Sequence, residues 1–219
     1  MTKTSNLNYM KMIEKDIFDE LMSTEIKINA WAIWDKETMK FPYTGWEKLR
    51  KRLTTDVIFL GLNPSKKLNK VRNFHSKSVG DTRLMEAILG IPGENSNGKE
   101  LKNISGGFMT DLLDVIESDS LKVDTNSASF DHFENVLNKL DEPQYHIICF
   151  GNKVFDAVRG WLTNQQILSD DIVKCNSISV GYNVTLYKVM HYSYRFDKNI
   201  IGDQLQYLDE LIGKKRSQR

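Results

Sequence analysis

An uninterrupted apolar run at residues 57–60 constrains the fold of this chain more than any other feature. The run is β-branched, aromatic and aliphatic, and it stops at Gly61 before Asn63, Pro64 and Ser65. Such a run between glycine and proline is typical of a strand buried at the centre of a parallel sheet. Pro64 fixes the turn and favours an extended conformation at Asn63. Ligands bind beyond the carboxyl ends of strands in open α/β sheets, so this loop is a candidate binding loop, although an ordinary strand-end turn has the same pattern.

Length and composition are those of one globular domain. The chain has 219 residues, of which 40% are hydrophobic, enough for a large core. The net charge is +1, so any basic surface for nucleic acid must be local. Cys149 and Cys175 are the only cysteines, too few for a disulfide framework or a four-cysteine metal site. The sequence has no signal-peptide core and no apolar run of bilayer length, so we expect a soluble cytoplasmic protein.

Strands and helices are predicted to alternate along most of the chain. Helical spacing at about residues 6–34, followed by a short helix ending at 53, predicts an N-terminal helical extension of about residues 1–53. Strands are predicted at 56–60, 108–113, 145–150, 172–180 and 184–190, the last two as a hairpin. Helices are predicted at 81–90, 130–140, 153–162 and 204–212, followed by a frayed basic tail. This alternation predicts a single α/β domain over residues 1–219, with a mostly parallel sheet and helices on both faces.

Polar side chains follow four of the predicted strands. Asn63 is assigned to the end of the first strand, Thr110 and Asp111 to the end of the second, Asn152 to the end of the third and His191 to the end of the last. Because the carboxyl ends of parallel strands share one edge, these side chains are predicted to line one cleft. Loops are polar in most proteins, so the prediction depends on all four occurring together.

Six short motifs between residues 56 and 196 occur in an order that resembles a known superfamily. They are Gly61-Leu62-Asn63-Pro64-Ser65, Phe74-His75, Asp81-Thr82-Arg83-Leu84, Gly107-Phe108-Met109-Thr110-Asp111, residues 147–153 with Gly151-Asn152-Lys153 at their end, and His191-Tyr192-Ser193. The set is similar to the uracil-DNA glycosylase superfamily, and most similar to its mismatch-specific uracil/thymine branch. The first motif and the Phe–His pair carry most of this resemblance.

The resemblance implies a fold and an activity. The implied fold is a three-layer α/β/α domain with a central, mostly parallel four-stranded sheet. The implied activity is that of a monofunctional DNA glycosylase, which hydrolyses the N-glycosidic bond of a flipped uracil or other deaminated base. We expect a monomer that binds single- or double-stranded DNA. No metal or organic cofactor is implied, because water is the only co-substrate.

The resemblance also implies roles for individual residues. Asn63 would position the water, and His191 would stabilise the leaving base. The base would be contacted by Gly61, Leu62, Phe74, Thr110, Asp111 and Asn152, with Phe74 stacking on it. The flanking phosphates would be bound by Ser65, Lys66, Ser193 and Arg195. The aromatic residues Tyr192, Tyr194 and Phe196 either include a wedge that fills the space left by a flipped base or pack the last helix onto the sheet.

Functions of other classes remain open. At the position of Asn63, the faster branches of the resembled superfamily have Asp. At the position of Tyr192, the family usually has Pro. Asp111 lies near a position that reads the base and that often has an amide side chain in the family. These three residues favour a catalytically silent module on the same fold that binds nucleic acid or a nucleotide. A small-molecule hydrolase acting on nucleosides or nucleotides is a further alternative, and it would have a closed cleft without a basic rim. A flavodoxin-like domain of unrelated function is the general alternative.

Overall fold

The computed structural model describes residues 12–23, 28–42, 45–65, 79–96, 98–126, 129–162, 165–176, 182–193 and 200–218. Within these ranges the chain forms seven strands and six α-helices. The strands are β1 (Ala30–Trp31), β2 (Thr54–Gly61), β3 (Gly107–Asp111), β4 (Gln144–Phe150), β5 (Gln165–Ser169), β6 (Ile172–Asn176) and β7 (Asn183–Val189). The helices are α1 (Lys15–Met22), α2 (Trp46–Leu49), which continues into a 3₁₀ turn at Arg50–Arg52, α3 (Val79–Leu89), α4 (Asp131–Leu140), α5 (Asn152–Trp161) and α6 (Ile200–Ser217).

The strands form one mixed sheet in the order β1-β3-β2-β4-β7-β6-β5. The four central strands, β3, β2, β4 and β7, run parallel, whereas β1, β6 and β5 are antiparallel to their neighbours. The α/β class is therefore confirmed, and so is the antiparallel pairing of the predicted hairpin strands. The prediction of a four-stranded, mostly parallel sheet is wrong, because three antiparallel strands in the described residues extend it. Two of them lacked a usable signal, since β1 has two residues and β5 begins with Gln165 and Gln166.

Helices pack on both faces of the sheet. In β2, Ile58 and Leu60 face a core shared with α1, α4 and α5, whereas Val57 and Phe59 face a core shared with α3 and α6. All four side chains are completely buried. Burial on both faces explains why this strand is a continuous apolar run rather than an alternating one. Among the described helices, none combines the length and the apolar composition needed to cross a bilayer.

The N-terminal segment is less helical than its sequence spacing predicts. Helix α1 covers only Lys15–Met22 of the described residues, and Ala30–Trp31 is a strand paired with β3. Residues 30–34 alternate between the two cores, with Trp31 and Ile33 in one and Ala30, Ala32 and Trp34 in the other. This period of two is that of extended chain. Part of the predicted helical extension therefore belongs to the sheet.

The C-terminal basic segment is ordered rather than frayed. Helix α6 continues to Ser217, well beyond the predicted end at residue 212. The Arg216 guanidinium donates a hydrogen bond of 2.8 Å to the carbonyl oxygen of Asn103 and forms an ion pair with Asp56. These contacts fix the last turn of α6 to the start of β2, where Asp56 lies.

Candidate active site

A cleft of about 520 Å³ lies at the carboxyl ends of the parallel strands. Eight of the predicted site residues line it: Gly61, Leu62, Asn63, Ser65, Asp111, Asn152, His191 and Ser193. Phe74, Lys66 and Arg195 lie outside the described residues, as do His75, Tyr194 and Phe196. Thr110 is described, but it does not line this cleft. The topology thus brings together the polar residues that follow β2, β4 and β7 and the last residue of β3.

The Asn63 side chain has one orientation that its surroundings permit. Its Nδ2 atom donates to three backbone carbonyl oxygens, those of Pro64 at 3.2 Å, Val115 at 3.1 Å and Glu117 at 2.7 Å. Carbonyl oxygens only accept hydrogen bonds, so the atom among them must be the amide nitrogen. The amide group therefore anchors the loop after β3, and its carbonyl oxygen Oδ1 has no hydrogen-bond partner among the residues that the structure describes.

Ser193 sets the tautomer of the His191 ring. The backbone N–H of Ser193 donates to Nδ1 of His191 at 3.2 Å, and the Ser193 hydroxyl lies 2.7 Å from the same atom. A backbone N–H only donates, so Nδ1 accepts and carries no proton. In the neutral ring the proton is therefore on Nε2, and Nε2 is a hydrogen-bond donor. The Ser193 hydroxyl, predicted to bind phosphate, is used here to orient the imidazole.

Aromatic packing and helix α6 hold the His191 loop in place. The His191 and Tyr192 rings stack with centroids 4.5 Å apart, and Phe150 packs edge-on against Tyr192 at 4.9 Å. The Gln204 side chain on α6 accepts a 2.7 Å hydrogen bond from the N–H of Met190. Tyr192 is buried, which together with the nearby charges of Asp81 and Asp111 raises its phenol pKa well above the usual range. Of the two roles considered for Tyr192, the structure shows packing onto the core.

Adjacent residues of β3 serve different parts of the molecule. Asp111 lines the cleft, although its residue surface is 1% exposed. The Thr110 hydroxyl donates to Oδ1 of Asn29 at 2.7 Å and lies 3.2 Å from Nε2 of His132. Burial lowers the pKa of His132, and the carboxylates of Asp114 and Asp111 oppose this shift. The geometry thus assigns Thr110 to a buried polar chain behind the cleft instead of to the base-binding surface.

Helix α5 begins at the cleft wall. Gly151, which precedes it, has φ of +93°, a conformation that favours glycine, and its N–H donates to Val189 at 2.8 Å. Asn152, Lys153 and the following valine line the cleft from the first turn of the helix. The Lys153 ammonium donates to the carbonyl oxygen of Ser120 and so joins α5 to the loop after β3. The partial positive charge of the helix N-terminus therefore acts on the cleft.

The loop after β3 supplies lining residues that the sequence did not identify. Glu117, Ser118 and Ser120 contribute to the cleft from this loop, and Asp81 contributes from the first turn of α3. The acidic residues of the described lining are Asp81, Asp111 and Glu117, and the basic one is Lys153. Within the described residues, no group of three or more His, Cys, Asp or Glu side chains is arranged to hold a metal ion. The polar run at 117–120 was the available signal for these loop residues, and it has no specific spacing.

Neither the protein-family models nor the curated proteins compared with this sequence give a match. The conclusions about function therefore depend on the residues and geometry of the cleft.

Proposed function

We propose that this protein is a monofunctional DNA glycosylase, as its resemblance to the uracil-DNA glycosylase superfamily implies, and that its substrate is a deaminated base flipped out of DNA. The proposal depends above all on one pair of residues. Hydrogen bonds fix the Asn63 amide with its oxygen available as an acceptor, and they make Nε2 of His191 a donor in the same cleft. Acceptor and donor are the two groups that the hydrolysis of a base–sugar bond needs.

The two side chains act on opposite partners of the bond that breaks. Oδ1 of Asn63 accepts a hydrogen bond from water, whose oxygen attacks C1′ of the sugar while the bond from C1′ to the base nitrogen breaks. The bonding electron pair leaves with the base, and Nε2–H of His191 donates to a base carbonyl oxygen as negative charge develops there. The hydroxyl becomes part of the sugar product, and the remaining proton of the water neutralises the base anion. An amide adds no net negative charge opposite the cationic sugar, so the proposed mechanism is a slow one.

Asp111 supports recognition of a base with N–H groups on its pairing edge. Its carboxylate lies in the buried part of the cleft and, when ionised, only accepts hydrogen bonds. Uracil, hypoxanthine and xanthine each present at least one N–H there. The N-terminus of α5 offers donors to a carbonyl or phosphate oxygen of the extruded nucleotide.

Single-turnover release of base from labelled oligonucleotides tests the proposal. Substrates carry uracil, hypoxanthine or xanthine, either in a single strand or opposite each normal base. Asn63→Ala and His191→Ala are compared with Asn126→Ala, which removes an exposed asparagine outside the cleft lining. We expect abasic product from wild type and Asn126→Ala, with a rate at least about 100-fold lower in both cleft variants. No product from excess folded wild type on any substrate would contradict the proposal.

A silent binding module is the second candidate, and the three hydrogen bonds of Asn63 favour it. They give Asn63 a structural role in anchoring the loop after β3, independent of any reaction. Fluorescence anisotropy with the same oligonucleotides separates the two candidates. Binding without abasic product, weakened by Asn63→Ala and unaffected by Asn126→Ala, would establish the module in place of the enzyme.

A further inference from the structure

A second pocket, of about 550 Å³, has a basic lining. Five of its eleven lining residues are cationic, and one is acidic. The cationic residues are Arg50, Lys51, Arg52, Lys102 and Arg216, and the acidic residue is Glu100. This concentration of positive charge contrasts with the net charge of +1 for the whole chain. The chain as a whole is nearly neutral, so the positive charge of this pocket is a local feature of the fold.

The basic pocket lies at the opposite edge of the sheet from the cleft. Thr54, the first residue of β2, lines the basic pocket, whereas Gly61, the last residue of β2, lines the cleft. At about 3.3 Å per residue the two ends of this strand are roughly 23 Å apart. One small ligand therefore does not reach both the cleft and the basic pocket, and the basic pocket is a separate candidate site.

Hydrogen bonds hold the walls of the basic pocket together. The Thr54 hydroxyl donates to the carbonyl oxygen of Ser105 at 2.9 Å, and the Thr54 N–H donates to Gly106 at 2.8 Å. A β-carbon on Gly106 would lie 1.9 Å from the carbonyl oxygen of Arg52, which shows how closely the two segments pack. Arg216, near the end of α6, donates a hydrogen bond of 2.8 Å to the carbonyl oxygen of Asn103 and so joins that helix to the pocket. The pocket is thus built from segments fixed before any ligand binds.

Two of the cationic side chains in this lining have no protein partner in the described part of the chain. Lys51 and Lys102 have no hydrogen-bond or ion-pair partner among the described residues, whereas Glu100 is paired with Lys36 at 3.0 Å. The Nε atoms of Arg50 and Arg216 are buried and have no hydrogen-bond acceptor in the described part of the chain. Atoms without accessible surface are out of reach of a ligand, so the donors that a ligand can contact are the exposed ammonium groups of Lys51 and Lys102.

We propose that the basic pocket binds a compact anion containing two or more linked phosphates. The two unpartnered ammonium groups supply point charges for separate phosphate oxygens. The Arg50, Arg52 and Arg216 guanidinium groups already contact Glu47, Trp34 and Asn103, and they add positive charge at the wall. Several cations in one pocket suit a chain of phosphates better than one carboxylate. The volume is that of a small-molecule site. The phosphates belong to either an inorganic oligophosphate or a nucleoside triphosphate. The inference does not depend on the proposed glycosylase activity.

Isothermal titration of the full chain with inorganic tripolyphosphate, at low ionic strength, tests the proposal. The double variant Lys51→Glu/Lys102→Glu reverses the two unpartnered cations. Its matched control, Lys122→Glu/Lys174→Glu, changes the net charge equally at exposed positions outside the basic pocket. Lys51→Gln/Lys102→Gln serves as a second variant if the charge reversal prevents folding. ATP and inorganic phosphate are titrated in parallel to distinguish the sources of the phosphates.

We expect tripolyphosphate to bind wild type and the matched control at least about tenfold more tightly than inorganic phosphate, with the Kd raised at least about tenfold in Lys51→Glu/Lys102→Glu. ATP that binds as tightly as tripolyphosphate would assign recognition to the phosphate chain, and tighter ATP binding would assign the site to a nucleotide. The proposal is overturned if folded wild type binds no tripolyphosphate. It is also overturned if the matched control loses binding as much as the pocket variant, or if only a single-stranded oligonucleotide binds there.

Discussion

Gly80 packs so closely on Tyr192 that a β-carbon at position 80 would lie 3.0 Å from Cδ2 of the Tyr192 ring. The same β-carbon would lie 3.1 Å from Cα of Ser193. Helix α3 therefore supports the loop whose backbone N–H sets the tautomer of His191. A side chain at position 80 would move this loop by a few tenths of an ångström. The proposed reaction requires the position that the loop gives to His191.

Gly80→Ala is accordingly expected to slow base release by about tenfold or more and to lower Tm, because the loop must shift to admit the methyl group. Gly160→Ala is the matched control, since a β-carbon there has nothing within 4 Å. Alanine forms helix better than glycine by about 0.5–1 kcal/mol, so helix propensity alone would not lower the Tm of either variant. Single-turnover kinetics and thermal unfolding are measured for both variants. Equal rates and equal Tm for the two would show that this contact does not position the loop.

Asn63→Asp is expected to lower both the rate and the stability, although the faster branches of the resembled superfamily have Asp at this place. The carboxylate would put an oxygen where Nδ2 now donates to three carbonyl oxygens, the nearest of them that of Glu117 at 2.7 Å. Losing these bonds and adding repulsion should cost about 1–3 kcal/mol of unfolding free energy. Urea unfolding and single-turnover kinetics are compared with Asn126→Asp. A faster reaction without loss of stability would refute this interpretation of the Asn63 environment.

The sequence predicted the centre of the sheet because its strands are buried on both faces. Continuous apolar runs identified β2 and β4, and the polar residues that follow the strands placed Asn63, Asn152 and His191 at one edge. The strands β1 and β5 were not predicted, since two residues or a polar start leave no periodicity to recognise. Their places in the sheet depend on pairing with neighbours that are distant in the sequence.

The precise roles of the cleft residues were not predictable for a different reason. Asn63 bonds to backbone carbonyls of residues 64, 115 and 117, and His191 accepts from a backbone N–H. Every residue offers a backbone carbonyl oxygen, and every residue except proline offers a backbone N–H, so the sequence does not show which of them makes such a contact. Thr110 illustrates the same limit, because its neighbour Asp111 faces the cleft while its own hydroxyl is used behind it.

His132 is expected to make the protein less stable as the pH falls. Burial lowers its pKa in the folded state below the value of about 6.5 in the unfolded chain. The unfolded chain therefore binds a proton first as the pH falls through about 6.5, and the free energy of unfolding decreases from there toward acid. His132→Gln keeps a donor for Thr110 but does not titrate, so the stability of wild type relative to this variant should decrease toward acid. Urea unfolding at several pH values measures this difference, and parallel pH profiles would contradict the assignment.

Arg216→Met tests whether the last turn of α6 contributes to stability. The substitution keeps an aliphatic side chain but removes the hydrogen bond to Asn103 and leaves the partly buried carboxylate of Asp56 without its ion pair. We expect a loss of about 1–3 kcal/mol in the free energy of unfolding, the usual range for removing one partner of a buried polar pair. Lys214→Met, at an exposed position in the same turn, is the control and should change stability by less than about 0.5 kcal/mol. Equal stability of the two variants in urea unfolding would mean that the basic segment is frayed in solution, as the sequence alone predicted.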